Sequence, residues 1–277
     1  MDMSKGAVRW ILIAVLMVWV DSAPAQTGTQ TGTQTGPTRP RFDAFEVATL
    51  KLANEEEKGR YIKMEGADRF VEKGYTLKLL IAAAYDLNPK TISGGPGWVD
   101  SIHFDILART PGEVRPTHEE QMKMVRSLLT ERFKLSFHRE KKEFAIYALE
   151  VGKSGAKLKP SATPDQPPTV GPGVVYPERI SLPGRNASMS ELASLLQRAI
   201  LDRPVVDKTG LAGRFDFDLD WAPDESQFGG DVPAARDTAP SLPLFAAIQE
   251  ELGLRLEAMR APVAALVIDA AQRPSEN

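Results

Sequence analysis

The sequence predicts an α+β protein made by tandem duplication, and three observations predict it. The stretches LLTERFKLSFHREKKEFAIYALEV (128–151) and AIQEELGLRLEAMRAPVAALVIDA (247–270) align without a gap. In both, apolar residues pass from helical spacing to strict alternation across a tight turn. A second pair, YTLKLLIAAAYDL (75–87) and ASMSELASLLQRA (187–199), matches in the same way. The third observation is that a glycine-containing turn and a strand follow each of these helices: GWVDSIHFDILA in one half, GLAGRFDFDLDW in the other. Each half is therefore expected to run strand, helix, strand, helix, strand, strand, with its helices packed on small mixed sheets.

The elements follow in order. Phe45 to Lys51 is the expected opening strand of the first copy, and Arg179 to Leu182 that of the second. Leu77, Leu80, Ile81 and Ala84 fall on one face of the first helix, as Met189, Leu192, Ala193 and Leu196 do in its counterpart. Thr76 and Ser188 stand where an N-cap belongs. Ser188 with Glu191 three residues on forms a capping box, in which hydroxyl and carboxylate satisfy free backbone donors. Thr117 with Glu120 repeats that box ahead of Met122, Val125, Leu128 and Leu129. In the long pair of stretches Leu129 meets Ile248, Phe133 meets Leu252, Phe137 meets Leu256, Phe144 meets Val263 and Leu149 meets Ile268. Between two alternating strands, HREKKE is expected as a charged turn.

Five segments are expected along the chain. Lys5 and Arg9, the apolar run Trp10 to Val20 and Ala23-Pro24-Ala25 give the order of a secretory signal peptide, residues 1–25. The run is too short for a spanning helix, which needs about 20 apolar residues. No transmembrane segment is expected once the signal is removed, and the protein is expected outside the cytoplasmic membrane, periplasmic or extracellular. Residues 26–41 carry a Thr-Gly-Thr-Gln period that can bury nothing, a flexible spacer. The first repeat spans 42–158, a proline-rich linker 159–178 and the second repeat 179–277; a further loop, 222–241, is rich in Pro, Gly and Asp. Cysteine is absent, so no disulfide can substitute for a packed core. The formal charge of −3 and the lack of a basic stripe with interleaved aromatics speak against nucleic acid.

The short motifs that suggest chemistry resolve into turns and surfaces. Asp207-Lys208-Thr209-Gly210 is the string that carries the phosphorylated aspartate of P-type ATPases, but Leu211 replaces the threonine that follows it there. In the repeat it takes the place of SGGPG (93–97), so it is expected to be a turn, with Asp207 bonding backbone amides. Gly152-Lys153-Ser154 resembles the end of a P-loop, but residue 147 is Tyr where a glycine is needed and no helix follows. His103, His118 and His138 are the only histidines, and surface positions are expected for His118 and His138. His103 and Asp105 share one face of a strand, which could pair two metal ligands, yet no ligand spacing is present. Asp216, Asp218 and Asp220 alternate along one strand face, as a calcium site or a solvated surface would. Asn186-Ala187-Ser188 fits a glycosylation acceptor but coincides with a helix cap. No catalytic, cofactor-binding or metal residue is assigned, and no cofactor is implied.

FEVATLK, YTLKLLIAAAYDL, ISGGPGWVDSIHFDI, LLTERFKLSFHRE, YALEV, RPVVDKTGLAGRFDFDLDW and the closing VIDAAQRPSEN resemble a secreted, Solibacter-type acidobacterial family of unknown function, over nearly all of Phe45 to Asn277. Some relatives carry this region outside a membrane-bound zinc peptidase of the antibiotic-sensor type, a part lacking here. Each half is also distantly similar to the short N-terminal domain of secretins and TonB-dependent receptors, as in Glu250-Glu251-Leu252-Gly253-Leu254. That resemblance implies an envelope protein as partner. The resulting expectation is an exported, non-enzymatic module that binds a protein or small ligand through sheet edges or the groove between the halves. The alternatives are a hydrolase with a site between the halves, using His103, Asp105 or the Asp216 to Asp220 row, and the sensor part of a separately encoded membrane system.

Overall fold

The first and second copies exchange their last strands, and each core is completed by residues of the other copy. The computed structural model describes residues 39–54, 59–171, 174–176, 179–230, 232, 234–235 and 241–275. The expected signal peptide and most of the spacer lie outside the described residues. No described helix is long and apolar enough to cross a membrane.

In chain order the first copy contains β1 (Val47–Leu52), β2 (Tyr61–Glu65), β3 (Arg69–Thr76), α1 (Leu77–Tyr85), β4 (Ile92–Gly94), β5 (His103–Arg109), α2 (His118–Arg132) and β6 (Ser136–Val151). The proline-rich stretch holds the short β7 (Lys159–Pro160), β8 (Thr169–Val170) and β9 (Val174–Tyr176). The second copy continues with β10 (Arg179–Ala187), α3 (Met189–Leu195), β11 (Val205–Asp207), β12 (Phe215–Trp221), α4 (Leu244–Leu252) and β13 (Leu254–Ala270). The fold is α+β. One sheet has the order β1-β5-β3-β2, and a second the order β7-β12-β10-β8 with β9 also on β10. The third, β11-β6-β13-β4, belongs to both copies.

This topology corrects two expectations. β3, which leads into α1, is the counterpart of β10, which leads into α3; each pairs antiparallel with the second strand after its helix, β5 or β12. The strand beginning near Phe45 is instead β1, on the far side of β5. The second correction concerns HREKKE. It is the middle of β6, and its counterpart in β13 is equally straight, so neither copy closes a hairpin on itself. β6 and β13 pair antiparallel from Ser136 opposite Ala270 to Val151 opposite Leu254. The middle of this ribbon is exposed, and charged residues suit it because water bathes them there.

Glu143 and Pro262 occupy equivalent positions in the two copies, and they face each other in the ladder. A pseudo-twofold axis therefore passes between them. β4 pairs parallel with β13 through Leu266, Val267 and Ile268, while β11 pairs parallel with the equivalent residues of β6, Tyr147, Ala148 and Leu149. The core around Phe70, Leu80, Phe104 and Leu129 thus takes Leu266 and Ile268 from the second copy. The core around Leu182, Leu196, Trp221 and Ile248 takes Leu149 from the first. Each fully buried aliphatic side chain contributes roughly 1.5–3 kcal/mol, so the exchanged residues are a large share of a marginal balance.

The helix ends repeat as well. Lys134 after α2 (φ 49) and Gly253 after α4 (φ 65) are equivalent positions, both left-handed, turning helix into ladder strand. At Gly253 a Cβ would lie 2.1 Å from the Gly155 carbonyl oxygen, which explains glycine there. Thr117 and Ser188 both form complete capping boxes. Ser188→Ala is expected to lower stability by about 1 kcal/mol, seen as a lower denaturant midpoint with an unchanged slope.

Candidate functional site

The site grows from the place where α1 of one copy meets α3 of the other. α1 stops at Asp86, which adopts a left-handed conformation (φ 53) and returns its amide to the Ala82 carbonyl. α3 instead runs on through a π turn, Leu196–Ile200, which swings Gln197 and Arg198 toward α1. Ser194 Oγ donates to Asp86 Oδ1 at 2.5 Å and Gln197 Nε2 to the Asp86 carbonyl at 3.0 Å. Asn88, buried, donates to the carbonyls of Gln197 (2.7 Å) and Leu201 (3.2 Å). Arg198 Nε lies 4.0 Å from Asp86 Oδ1 and has no hydrogen-bond partner among the described residues. Asp86 and Arg198 hold equivalent positions in the aligned helices, so the duplicated unit places an acid against a base at its own seam.

Beside this seam opens a cleft of about 380 Å³, within the size range of small-ligand sites. Its floor is Ala83, Ala84 and Met122; its walls carry Tyr85, Asp86, His118, Glu119, Arg126, Arg139 and Ser194. Strand alternation explains Arg139. Phe137 packs edge-on against Tyr85 at 4.9 Å, and two residues on, on the same face, the Arg139 guanidinium lies 5.6 Å from the centre of that ring. Arg126 approaches the ring to 5.9 Å. Arg126 is anchored by Nη1 to the Ala84 carbonyl (2.7 Å) and by Nη2 to Glu119 Oε1 (2.6 Å).

His118, the first residue of α2, keeps one face open to solvent while protein atoms crowd the rest. That crowding holds its pKa below the usual imidazole range, and Arg198 lowers it further, against Asp86, Glu119 and Glu191. His118 is therefore a neutral imidazole at neutral pH. Burial likewise disfavours the charge of Arg198, opposed by Asp86. The cleft thus offers guanidinium groups, a ring face and a neutral imidazole on an apolar floor. The Ser194 hydroxyl is committed to Asp86.

The residues singled out in the sequence lie elsewhere. His103 and Asp105 do share one face of β5, the outer one, where Asp105 pairs with Lys73 Nζ (2.6 Å) and accepts from the Gly74 amide (3.1 Å). Asp216, Asp218 and Asp220 do face outward from β12, on a different sheet. Asp216 accepts from the amides of Asn186 and Ala162, both at 2.8 Å, and Asp218 from Arg185 at 2.7 Å. A second cleft of about 380 Å³ lies over this row, lined by Lys157, Lys159 and Arg185 as well as Asp216, Asp218 and Glu251. His138 Nδ1 meets Asp269 Oδ1 at 2.8 Å on the ladder. Among the described residues no three His, Asp or Glu side chains are grouped to hold a metal ion.

Asp207 is the first residue of a turn, accepting from the Thr209 amide (2.9 Å) and hydroxyl (2.8 Å), with Gly210 left-handed. Gly152 and Gly155 close a tight turn, 3.0 Å from amide to carbonyl. Asn186 is buried and donates to the carbonyls of Pro164 and Gln166, which removes it as a glycosylation acceptor. Sequence reasoning missed Tyr85, Arg126 and Arg139. Their signal was in the alignment: Arg126 matches Phe245 and Arg139 matches Ala258, so the second copy cannot build the same cleft.

The chain belongs to the family described as Protein of unknown function (DUF3738), which matches residues 78–271. Neither the curated proteins nor the solved structures gave a match to it.

Proposed function

We propose that this chain is an exported, non-enzymatic binding module of the bacterial envelope, whose ligand enters the cleft between α1, α2, β6 and α3. The observation that carries this reading is the divergence of the two copies at that place. Both copies keep the same order of helices and ladder strands, yet only the first lines a cleft with Tyr85, Arg126 and Arg139. Packing alone does not require arginines there, since Phe245 and Ala258 stand at the equivalent positions. The expected signal peptide and spacer support export and a tethered position, and the resemblance to secretin and TonB-receptor N-terminal domains supports an envelope setting.

A thermal-shift screen of small molecules tests it. A ligand at one hundred times its Kd stabilises the folded state by about 2.7 kcal/mol, a shift of several degrees. Ser194→Trp fills the cleft from its rim and is expected to abolish that shift while leaving the unliganded transition cooperative. Hits that stabilise the Ser194→Trp variant as much as the parent would place binding elsewhere, and turnover of a hit would favour the hydrolase reading instead.

A further inference from the structure

We infer that the ligand of this cleft carries an oxyanion, a carboxylate or phosphate, which Arg139 receives while the Tyr85 ring and the apolar floor hold the adjoining part of the molecule. The inference rests on the cleft being the binding site. It follows from the charges that line it. Arg126 gives its two terminal nitrogens to Glu119 and the Ala84 carbonyl. Asp86 accepts from Ser194 Oγ through Oδ1 and lies 4.0 Å from Arg198, which offsets its charge. Of the arginine and carboxylate side chains around this cleft, Arg139 alone has no hydrogen bond or ion pair among the described residues; its guanidinium lies over the face of Tyr85. A guanidinium stacked on a ring has its position fixed and its N–H edge free, the geometry that receives a carboxylate or phosphate in two parallel bonds. Arg126 and Arg198 are offset by Glu119 and Asp86, which leaves Arg139 as the uncompensated charge of the cleft, and a concave wall concentrates its field. The chain as a whole is acidic, at −3, so this one uncompensated guanidinium is not a reflection of average composition.

The test uses the full chain, with guanidinium side-chain resonances followed by NMR during titration with inorganic phosphate, succinate and, as an ionic-strength control, sodium chloride. Phosphate or succinate is expected to move the Arg139 Nε–H resonance saturably, with chloride at equal ionic strength leaving it in place. Arg139→Gln should weaken binding at least tenfold and Arg139→Lys should fall between, since it keeps the charge but loses the fork. Arg260→Gln, on the exposed ribbon, should bind as the parent does. A response to phosphate alone or to succinate alone supports the inference and identifies the oxyanion. No saturable response to either anion, or an equal response in Arg139→Gln, overturns it. Should the small-molecule screen return only neutral or cationic ligands that Ser194→Trp blocks, the cleft reading stands and the oxyanion falls; hits indifferent to Ser194→Trp remove both.

Discussion

Expressed apart, residues 39–158 and 159–277 are each expected to be largely unfolded, and to fold on mixing into a one-to-one complex. Strand exchange requires it. The first piece lacks Leu266 and Ile268, both buried in its own core, and lacks the strand on which β4 pairs. The second lacks Leu149 and the strand on which β11 pairs. Each piece also carries half of a sixteen-pair ladder with no partner. Such an edge is a hazard for pairing with other chains. Self-pairing of one piece could restore the ladder in principle, but the seam opposes it. A dimer of first pieces would set Asp86 against Asp86 and Glu143 against Glu143, and a dimer of second pieces Arg198 against Arg198. The native seam instead holds Asp86 beside Arg198 at 4.0 Å. Like charges at that distance cost about 1 kcal/mol in bulk water and about 4 kcal/mol at the effective dielectric near a protein surface. Circular dichroism of each piece and of the equimolar mixture, with a mass measurement, checks the result. A separate piece that unfolds cooperatively as a monomer would show that the exchanged residues are dispensable.

The duplication was legible because it is written in periodicity: matched helical faces at Leu77 to Ala84 and Met189 to Leu196, matched caps at Thr76 and Ser188, matched alternation after Phe133 and Leu252. The exchange was not legible. A hairpin within one copy and a ladder between two copies demand the same alternation, and a charged middle suits both a turn and a ribbon exposed on its faces. Only the register, with Glu143 opposite its own counterpart Pro262, separates them. The turn at Asp207 could be read correctly since its hydrogen bonds are local. The cleft could not, because Tyr85, Arg126 and Arg139 come together through the docking of β6 on α1, a long-range packing event. What the sequence did hold was the mismatch of Arg126 with Phe245.

Glu72→Gln is expected to stabilise the protein above neutrality, by on the order of 1–3 kcal/mol, and to do so progressively less as the pH falls. Glu72 is fully buried on the core face of β3, opposite Ile106. The ladder shifts register just beyond it, and Oε1 accepts from the Tyr75 amide at 3.0 Å within that bulge. Oε2 has no partner among the described residues. Burial pushes the carboxyl well above the usual range; the Tyr75 amide opposes this, Asp105 across on β5 adds to it, and Lys73 opposes it. The folded state therefore binds a proton that the unfolded chain releases, and the sign follows. The stability from this group is fully present below the ordinary glutamate value of 4.5 and is lost as pH rises from there through the raised folded value. Gln keeps the carbonyl that serves Tyr75 and carries no proton to lose, so the variant escapes the loss. Denaturant midpoints of parent and variant at pH 5 and pH 8 decide it, since the other carboxylates cancel in the comparison. A difference that is the same at both values would mean that Glu72 sits in the folded protein without taking up a proton, held by a cation or by water.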